Sequence, residues 1–433
     1  MGQASSLTRQ AVAHNWRIRV TAPSPTRFRT LVALTLAPAL RDLPPYVFAE
    51  LDRLKAAAVA RGATLVDLGI GSPDMPMAAG IIETLAEAAH APFAHGYPPF
   101  RGAPRYLSAI EQFMHARFGV TVDPSREVLS LSGAKEGIAQ VINALCAPGD
   151  VVLVPEIYYP VYARASWLAG ADVRWVPMRP EQGFVLDLDA IPAGDLRRAR
   201  LLITNYPNNP TGAQAGPEFF ERAVALAKQH DFLLVSDLAY SELTFEGPPA
   251  PSALQVDRDH SVTIEFHSCS KTFSMAGLRV GFAVGNAAAI DALAAYRTNV
   301  GYGTPTVVQH AASWALDHRD EIVPPKVAHY RERRDTMVAA FASAGWVVTP
   351  PSATMYLWIP VPNGIADWEW VQGLIEIENL VVTPGVAFGE AGAGYFRISL
   401  VRDSDTLAAA AARIAACRDF LRERGARRVP RSA

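Results

Sequence analysis

Five short apolar runs alternate with longer helix-like stretches between residues 127 and 268, and this alternation constrains the fold more than any other feature of the chain. Short apolar runs bounded by turn residues are typical of buried strands, and their alternation with helices predicts βα units in a mostly parallel sheet. The runs are EVLSLSG (127–133), DVVLVP (150–155), RLLITN (200–205), DFLLVSD (231–237) and SVTIEFHS (261–268). The predicted fold class is therefore α/β, with a large sheet flanked by helices.

A change of rhythm near residue 320 predicts a second, smaller domain. A long helical stretch (321–345) is followed by two strand-like runs, TMYLWIPV and YFRISLV, and then by an Ala-rich helix (405–424). We expect a large domain over residues 76–320 and a smaller α+β domain over residues 321–433. Residues 43–75 are expected to form an arm that joins the small domain.

Composition and charge exclude several classes of function. With a net charge of −2 over 433 residues, the chain carries no electrostatic footprint for nucleic acid. No segment is long and apolar enough to span a membrane. The cysteines Cys146, Cys269 and Cys417 lie far apart, so we expect no disulfide and no metal site, and a reducing, cytoplasmic setting.

The first 42 residues differ in composition from the rest of the chain. They contain no acidic residue before Asp42 but several arginines, which resembles the composition of a transit peptide. Folded sequence is expected to begin at the segment LPPYVFAELDRLKAAAVARG (43–62). We interpret residues 1–42 as a disordered extension or as the product of a start codon placed too far upstream.

Polar residues follow the ends of four of the apolar runs. These are the Gly133-Ala134-Lys135 turn, Asn209, Asp237 with Tyr240, and Lys271. Ligands of a parallel α/β sheet bind beyond the carboxyl ends of its strands. These residues are therefore expected to meet in one crevice, although they are far apart in the sequence.

Lys271 follows shortly after the last apolar run, in surroundings that do not suit a solvated loop, where a lysine is usually found. Its neighbours Phe273 and Met275 are apolar, and Ser268 and Ser270 are small. A lysine in such a pocket has a lowered pKa and serves as a nucleophile toward carbonyl groups, with which it forms a Schiff base. The stretch therefore predicts a reactive lysine.

A phosphate site is predicted beside this lysine. Arg279 lies eight residues further on, and an arginine fork together with serine hydroxyls suits a phosphate group. Ala134 and Lys135, at the start of a predicted helix, add backbone N–H donors and the positive end of the helix dipole.

Asp237 ends the most continuously apolar run, where a carboxylate is costly without a cationic partner. For an isolated aspartate, the default interpretation is a helix N-cap. The alternative is a partner for a pyridinium nitrogen, with Tyr240 and Asn209 as hydrogen-bond donors to the same ring. The segment NNPTG around Asn209 is also typical of a turn, and both interpretations of it stay open.

Together, the segments SCSKTFSMAGLRVGF, YPNNPTG and SDLAY resemble the class I aminotransferases of the pyridoxal-phosphate fold type I superfamily. The resemblance extends from about residue 43 to residue 424. It implies pyridoxal 5'-phosphate as the cofactor, with Lys271 in the Schiff base and Asp237 at the pyridinium nitrogen. Asn209 and Tyr240 would bind the phenolic oxygen. The other implied cofactor contacts are Tyr159, which would stack on the ring, and the phosphate ligands Ala134, Lys135, Ser268, Ser270 and Arg279.

The same resemblance implies three further residues. Arg397 in the segment YFRISLV matches an arginine that grips the substrate carboxylate, although the strand pattern alone would place it toward solvent. Gly71 matches a substrate-contacting glycine. Tyr97 matches a tyrosine that reaches the phosphate site of the neighbouring subunit, which implies a homodimer.

The segments LPPYVFAELDRL and DLGIGSPDMP are most similar to the branch that contains LL-diaminopimelate and alanine-forming aminotransferases. Arg297 stands at a different offset from the arginine of the aspartate-selective enzymes. The amino donor and acceptor stay open, since TNVGYGTP also departs from the diaminopimelate pattern. A C–S lyase of the same fold is the main alternative, and a transcription regulator with an aminotransferase-like domain is a remote one.

Overall fold

The structure is a computed structural model, and it describes residues 35–362 and 364–428. Most of the predicted extension, residues 1–34, lies outside the described residues. The described end of the extension, residues 35–42, contains a short helix, α1 (Pro38–Arg41). Helical structure therefore begins slightly before residue 43, where folded sequence was expected to start.

Helices and strands alternate along most of the described chain. After α1 the helices are α2 Val47–Ala60, α3 Ala79–Ala89, α4 Pro104–Phe118, α5 Ala134–Leu145, α6 Val161–Leu168, α7 Ala193–Leu196, α8 Pro217–His230, α9 Cys269–Thr272, α10 Ala287–Val300, α11 Thr306–Asp317, α12 Arg319–Ser343, α13 Asp367–Glu378 and α14 Ser404–Arg428. The strands are β1 Val66–Asp67, β2 Val128–Leu131, β3 Val151–Pro155, β4 Asp172–Val176, β5 Ala199–Asn205, β6 Leu233–Asp237, β7 Thr263–Ser268, β8 Gly281–Gly285, β9 Tyr356–Pro360, β10 Leu380–Val381, β11 Thr383–Pro384 and β12 Tyr395–Ser399.

The large sheet has seven strands in the order β2-β8-β7-β6-β5-β3-β4. All five apolar runs form strands in it, and the predicted α/β class with a mostly parallel sheet is confirmed. The register pairs Asn205 at the end of β5 with Asp237 at the end of β6. The carboxyl ends of the central strands therefore meet at one edge, as the crevice prediction requires.

Strand β8 is the exception to the parallel order, since it runs antiparallel to both β2 and β7. The chain leaves β7, forms the short helix α9, and turns back at once beside β7. A parallel return would need a crossover along the face of the sheet, usually a full helix. The lysine segment is thus a tight reversal between two paired strands.

The small sheet is antiparallel, with the order β11-β12-β9, and β1 of the N-terminal arm pairs with β10 beside it. Leu51 of α2 is buried in the same apolar core as Tyr330 and Met337 of α12. Helix α12 runs across the expected boundary, and its Val323 packs in the core around α4 and α11 instead. The division at residue 320 stays a prediction. Among the described residues, no helix has both the length and the apolar character needed to cross a membrane.

Candidate active site

A cavity of about 340 Å³ lies at the carboxyl ends of the central strands. Every predicted site residue except Tyr97 lines it, although these residues come from separate elements of both sheets and from the N-terminal arm. The predicted residues in its wall are Gly71, Ala134, Lys135, Tyr159, Asn209, Asp237, Tyr240, Ser268, Ser270, Lys271, Arg279 and Arg397.

Lys271 projects from α9 into the cavity, where its Nζ donates a hydrogen bond to the backbone carbonyl of Gly71. Burial lowers the pKa of Lys271, and the positive charges of Arg397 and Arg279 add to this effect. A lowered pKa increases the fraction of neutral amine near pH 7, which is the form that attacks a carbonyl and accepts a proton.

The carboxylate of Asp237 is buried and lines the cavity. Its Oδ2 accepts a hydrogen bond of 2.6 Å from the Tyr162 hydroxyl, and its Oδ1 accepts one of 3.0 Å from the Ala239 backbone N–H. Burial raises its pKa, while these two hydrogen bonds and His267 lower it. No lysine or arginine of the described chain forms an ion pair with Asp237. The carboxylate is therefore suited to a cationic group that enters the cavity.

A second group of residues in the cavity wall suits an anion. Lys135 in the first turn of α5 and Arg279 converge there with Ser268 and Ser270. Gly133, just before α5, has a φ of +97°, and a Cβ at this position would lie 2.4 Å from the Arg279 Nη2. The turn therefore has to be glycine for the arginine to sit against the helix start. Two cations and a helix N-terminus together suit a phosphate group.

Arg397 of β12 is buried and faces the cavity, not solvent as the isolated strand pattern would place it. Its Nη1 donates to the Asn209 Oδ1 at 2.9 Å and its Nη2 donates to the Gly69 carbonyl at 2.5 Å. Its Nε is buried without a hydrogen-bond partner among the described residues. The guanidinium stacks between Tyr356 and Phe388, which holds it in place for a carboxylate.

Tyr97 lies outside the cavity of its own chain. Its side chain is 79% exposed and stacks on Tyr302 with 4.2 Å between the ring centroids. The predicted contact with a neighbouring subunit stays a prediction.

Several cavity residues were missed from the sequence. They are Tyr46, Phe48, Ile70, Tyr162, Asn205, Ala239, Ala276 and Tyr356. Asn205 could have been found, because it ends β5 as Asp237 ends β6. Tyr356 carried no such signal, since in the run TMYLWIPV it has the pattern of a core residue. Its hydroxyl lies 2.8 Å from the Tyr240 hydroxyl.

Arg297, whose offset separates the chain from the aspartate-selective pattern, does not line the cavity. It is 2% exposed and donates to the backbone carbonyls of Phe100 and Ser130. Burial lowers its pKa to about 10. Its guanidinium therefore joins the backbone segments at Phe100 and Ser130, and it is not free to bind a substrate carboxylate.

Residues 63–414 match the family model of the class I and II aminotransferases. The chain belongs to this family. Two curated relatives, both LL-diaminopimelate aminotransferases, agree with this assignment over nearly their whole length. The relative from Desulforudis audaxviator is 45% identical over 87% of this chain and 96% of its own, and that from Natranaerobius thermophilus is 41% identical over 87% and 97%.

Solved structures of the aminotransferase fold superpose on the chain. Substrate-bound BacF from Bacillus subtilis has a TM-score of 0.86 at 36% identity, over 89% of this chain and 98% of its own. An aspartate aminotransferase double mutant from Thermus thermophilus has a TM-score of 0.82 at 28% identity, over 89% of this chain and 100% of its own.

This aminotransferase is an enzyme that uses pyridoxal 5'-phosphate. The cavity fits that cofactor in three respects. Asp237 is a buried carboxylate without a cationic partner among the described residues, which suits a protonated ring nitrogen. Lys135 and Arg279 at the start of α5 suit the phosphate, and Lys271 supplies an amine with a lowered pKa.

Proposed function

We propose that this aminotransferase moves an amino group between an L-amino acid and a 2-oxo acid in the cavity around Lys271, with a donor of the LL-diaminopimelate class. The observation that carries the site assignment is the position of the Lys271 amine and the Arg397 guanidinium in the wall of one cavity. The donor class is supported by curated relatives that are 41–45% identical and carry that activity in their names.

Pyridoxal phosphate, when bound, supplies the electron sink that allows the Cα–H bond of an amino acid to break. Asp237 keeps a proton on the ring nitrogen through its carboxylate. Asn209 and Tyr240 donate hydrogen bonds to the phenolic oxygen. Lys271 would hold the cofactor in the resting enzyme, and once the donor amine has replaced it there, its freed Nζ would accept the α-proton of the donor and return it. Because burial lowers the pKa of this amine, it is available as a base near neutral pH.

Substrate orientation is assigned to Arg397 and Gly71. The Arg397 guanidinium, fixed between two aromatic rings, binds the α-carboxylate in a paired hydrogen bond. Gly71 lets the loop of the N-terminal arm approach the cavity closely, because a Cβ there would lie 2.0 Å from the Tyr356 hydroxyl. Since Arg297 is bound to backbone carbonyls, a strict preference for aspartate as the donor is not favoured.

We expect single-turnover mixing with an amino donor to give one equivalent of 2-oxo acid per cofactor and no sustained release of ammonia. A panel of LL-diaminopimelate, alanine, aspartate and glutamate with pyruvate or 2-oxoglutarate then ranks the donors by kcat/KM. We expect the kcat/KM for LL-diaminopimelate to exceed that for aspartate at least about tenfold, or about 1.4 kcal/mol, because Arg297 is not free to pair with the side-chain carboxylate of aspartate.

Two further measurements could contradict the proposal. Sustained ammonia and pyruvate from an S-substituted cysteine, without added 2-oxo acid, would indicate a C–S lyase, because the pocket then breaks the Cβ–S bond of the donor. Tight binding to duplex DNA at physiological salt, without turnover of any donor, would indicate the transcription regulator.

We propose that the enzyme is a homodimer in which Tyr97 reaches the neighbouring site. The support is an exposed aromatic patch formed by Tyr97, Phe100 and Tyr302, which are 51–79% exposed. Tyr302 stacks against both Tyr97 and Phe100. Large exposed apolar patches mark interaction surfaces. A second copy of the chain on this patch would bury these rings.

Mixed dimers test the role of Tyr97 in trans. We expect Lys271→Ala and Tyr97→Ala homodimers each to be severely impaired, and co-expressed mixtures to recover about a quarter of wild-type turnover, because half of the dimers then hold one complete site. The control is a mixture of Lys271→Ala with Asp237→Ala, because both residues line the cavity of their own chain and this mixture should not recover activity. Mixtures no more active than the mean of their parents would place Tyr97 outside the partner's site.

We also propose a cytoplasmic enzyme. Its support is that Cys146, Cys269 and Cys417 are all free in the described structure. Burial raises the pKa of each thiol to about 12, so the cysteines remain protonated and unreactive.

A further inference from the structure

Tyr356, which lies in β9 of the small sheet, places its hydroxyl inside the cavity. The residue is 1% exposed, and its Oη lies 2.8 Å from the Oη of Tyr240, which belongs to the turn after β6. The two rings are inclined at 70° with their centroids 5.6 Å apart. A residue of the small sheet thus touches a proposed cofactor ligand of the large sheet.

The position of Tyr356 is fixed on two sides. The Arg397 guanidinium lies over its ring at 4.2 Å from the centroid. On the other side, an added Cβ at Gly71 would lie 2.0 Å from its Oη, so the loop at Gly71 leaves no room for movement. Displacing the ring would therefore disturb both the arginine and the tyrosine that it contacts.

The titratable and charged groups that face Tyr356 come from every element packed around it: Tyr159, Tyr240, Lys271, Tyr330 and Arg397. Burial raises the pKa of Tyr356, but Lys271 and Arg397 outweigh it, so that the pKa is lowered. Burial raises the pKa of Tyr240 well above its ordinary value. Of the two phenols, Tyr356 is therefore the better hydrogen-bond donor.

We propose that Tyr356 is a positioning residue of the transamination site: its hydroxyl donates to the Tyr240 Oη, and its ring supports the Arg397 guanidinium. This inference rests on the proposed function. A phenol has a single proton, so a Tyr240 that accepts from Tyr356 keeps its own proton free to donate toward the phenolic oxygen of the cofactor. Hydrogen bonds in such a chain strengthen one another.

Two variants test the role of the Tyr356 hydroxyl and the role of its ring separately. Tyr356→Phe removes the hydroxyl but keeps the ring under Arg397. Tyr356→Leu removes both. The control is Tyr330→Phe, because Tyr330 lies in the same apolar core and its hydroxyl has no hydrogen-bond partner among the described residues. Thermal unfolding of each loaded variant shows whether it folds.

The decisive measurement is a pH titration of the visible absorption of the resting, cofactor-loaded enzyme. In Tyr356→Phe the weakened Tyr240 donor leaves more negative charge on the phenolic oxygen, so the nitrogen of Lys271 keeps its proton to higher pH. We expect the midpoint to rise by about half a pH unit or more. We expect kcat to fall severalfold while KM for the amino donor stays within about twofold, because the Arg397 support remains.

In Tyr356→Leu we expect the same spectral shift together with a KM increase of about tenfold, because Arg397 loses its stacking partner. A Tyr356→Phe midpoint equal to those of wild type and Tyr330→Phe would overturn the hydroxyl role, and an unchanged KM in Tyr356→Leu would overturn the ring role. Failure of the proposed function is distinct from either result, since wild-type enzyme would then show no transamination, whether or not the visible band is present.

Discussion

Alanine in place of Lys271 is expected to abolish transamination, with kcat falling by roughly 10⁴-fold, because one side chain serves both as the covalent anchor and as the proton carrier. Its Nζ lies in the cavity and donates to the Gly71 carbonyl, and burial lowers its pKa. Among the described residues, no other lysine amine bonds to that carbonyl. Turnover is measured as 2-oxo acid formed from saturating donor. Borohydride reduction followed by mass spectrometry should attach the cofactor covalently to wild type and not to the variant.

The matched control is Lys228→Ala, which removes a partly exposed lysine that lies outside the cavity and pairs with the buried Asp257 and the exposed Asp259. We expect this variant to retain wild-type turnover and full covalent attachment. A Lys271→Ala enzyme with turnover within tenfold of wild type would refute the assignment, and so would attachment of the reduced cofactor to another residue.

Five strands of the large sheet and most of the site could be predicted because the relevant signals are local. Apolar runs define buried strands, and the polar residue that ends each run must lie at one edge of a parallel sheet. Lys271, Asp237 and the first two residues of α5 were found in this way, and all of them line the cavity. The buried environment of Lys271 could also be inferred, because apolar neighbours such as Phe273 and Met275 do not suit a solvated loop.

The residues that the sequence did not reveal reach the cavity through long-range packing. Tyr356 lies in a strand of the second sheet, and only the pairing of β9 with β12 brings it beside Arg397. Tyr46 and Phe48 enter from the N-terminal arm for the same reason. Strand β8 was missed because its five residues, GFAVG, follow the lysine turn so closely that they resemble a continuation of the loop.

Asparagine in place of Asp237 is expected to lower kcat/KM by roughly 10²- to 10⁴-fold, since a neutral amide cannot keep a proton on the ring nitrogen and the electron sink is weakened. The carboxylate is buried, with the Tyr162 hydroxyl at 2.6 Å. Tyr162→Phe, which removes that hydrogen bond but keeps the carboxylate, should cost far less. Steady-state rates of the two variants with one donor check the order, and a Tyr162→Phe loss equal to that of Asp237→Asn would contradict it.

The Asp237→Asn substitution also gives a second, independent prediction, which concerns the unfolding temperature of the apoprotein. Burial raises the pKa of Asp237, so its charged form is disfavoured in the folded apoprotein, and the cost grows as the pH rises above the ordinary aspartate range. At neutral pH, the Asp237→Asn apoprotein should therefore unfold at a temperature no lower than that of wild type. Pyridoxal phosphate should then raise the unfolding temperature of wild type more than that of the variant, because only the carboxylate gains a cationic partner. Equal increases would mean that Asp237 does not face the ring nitrogen.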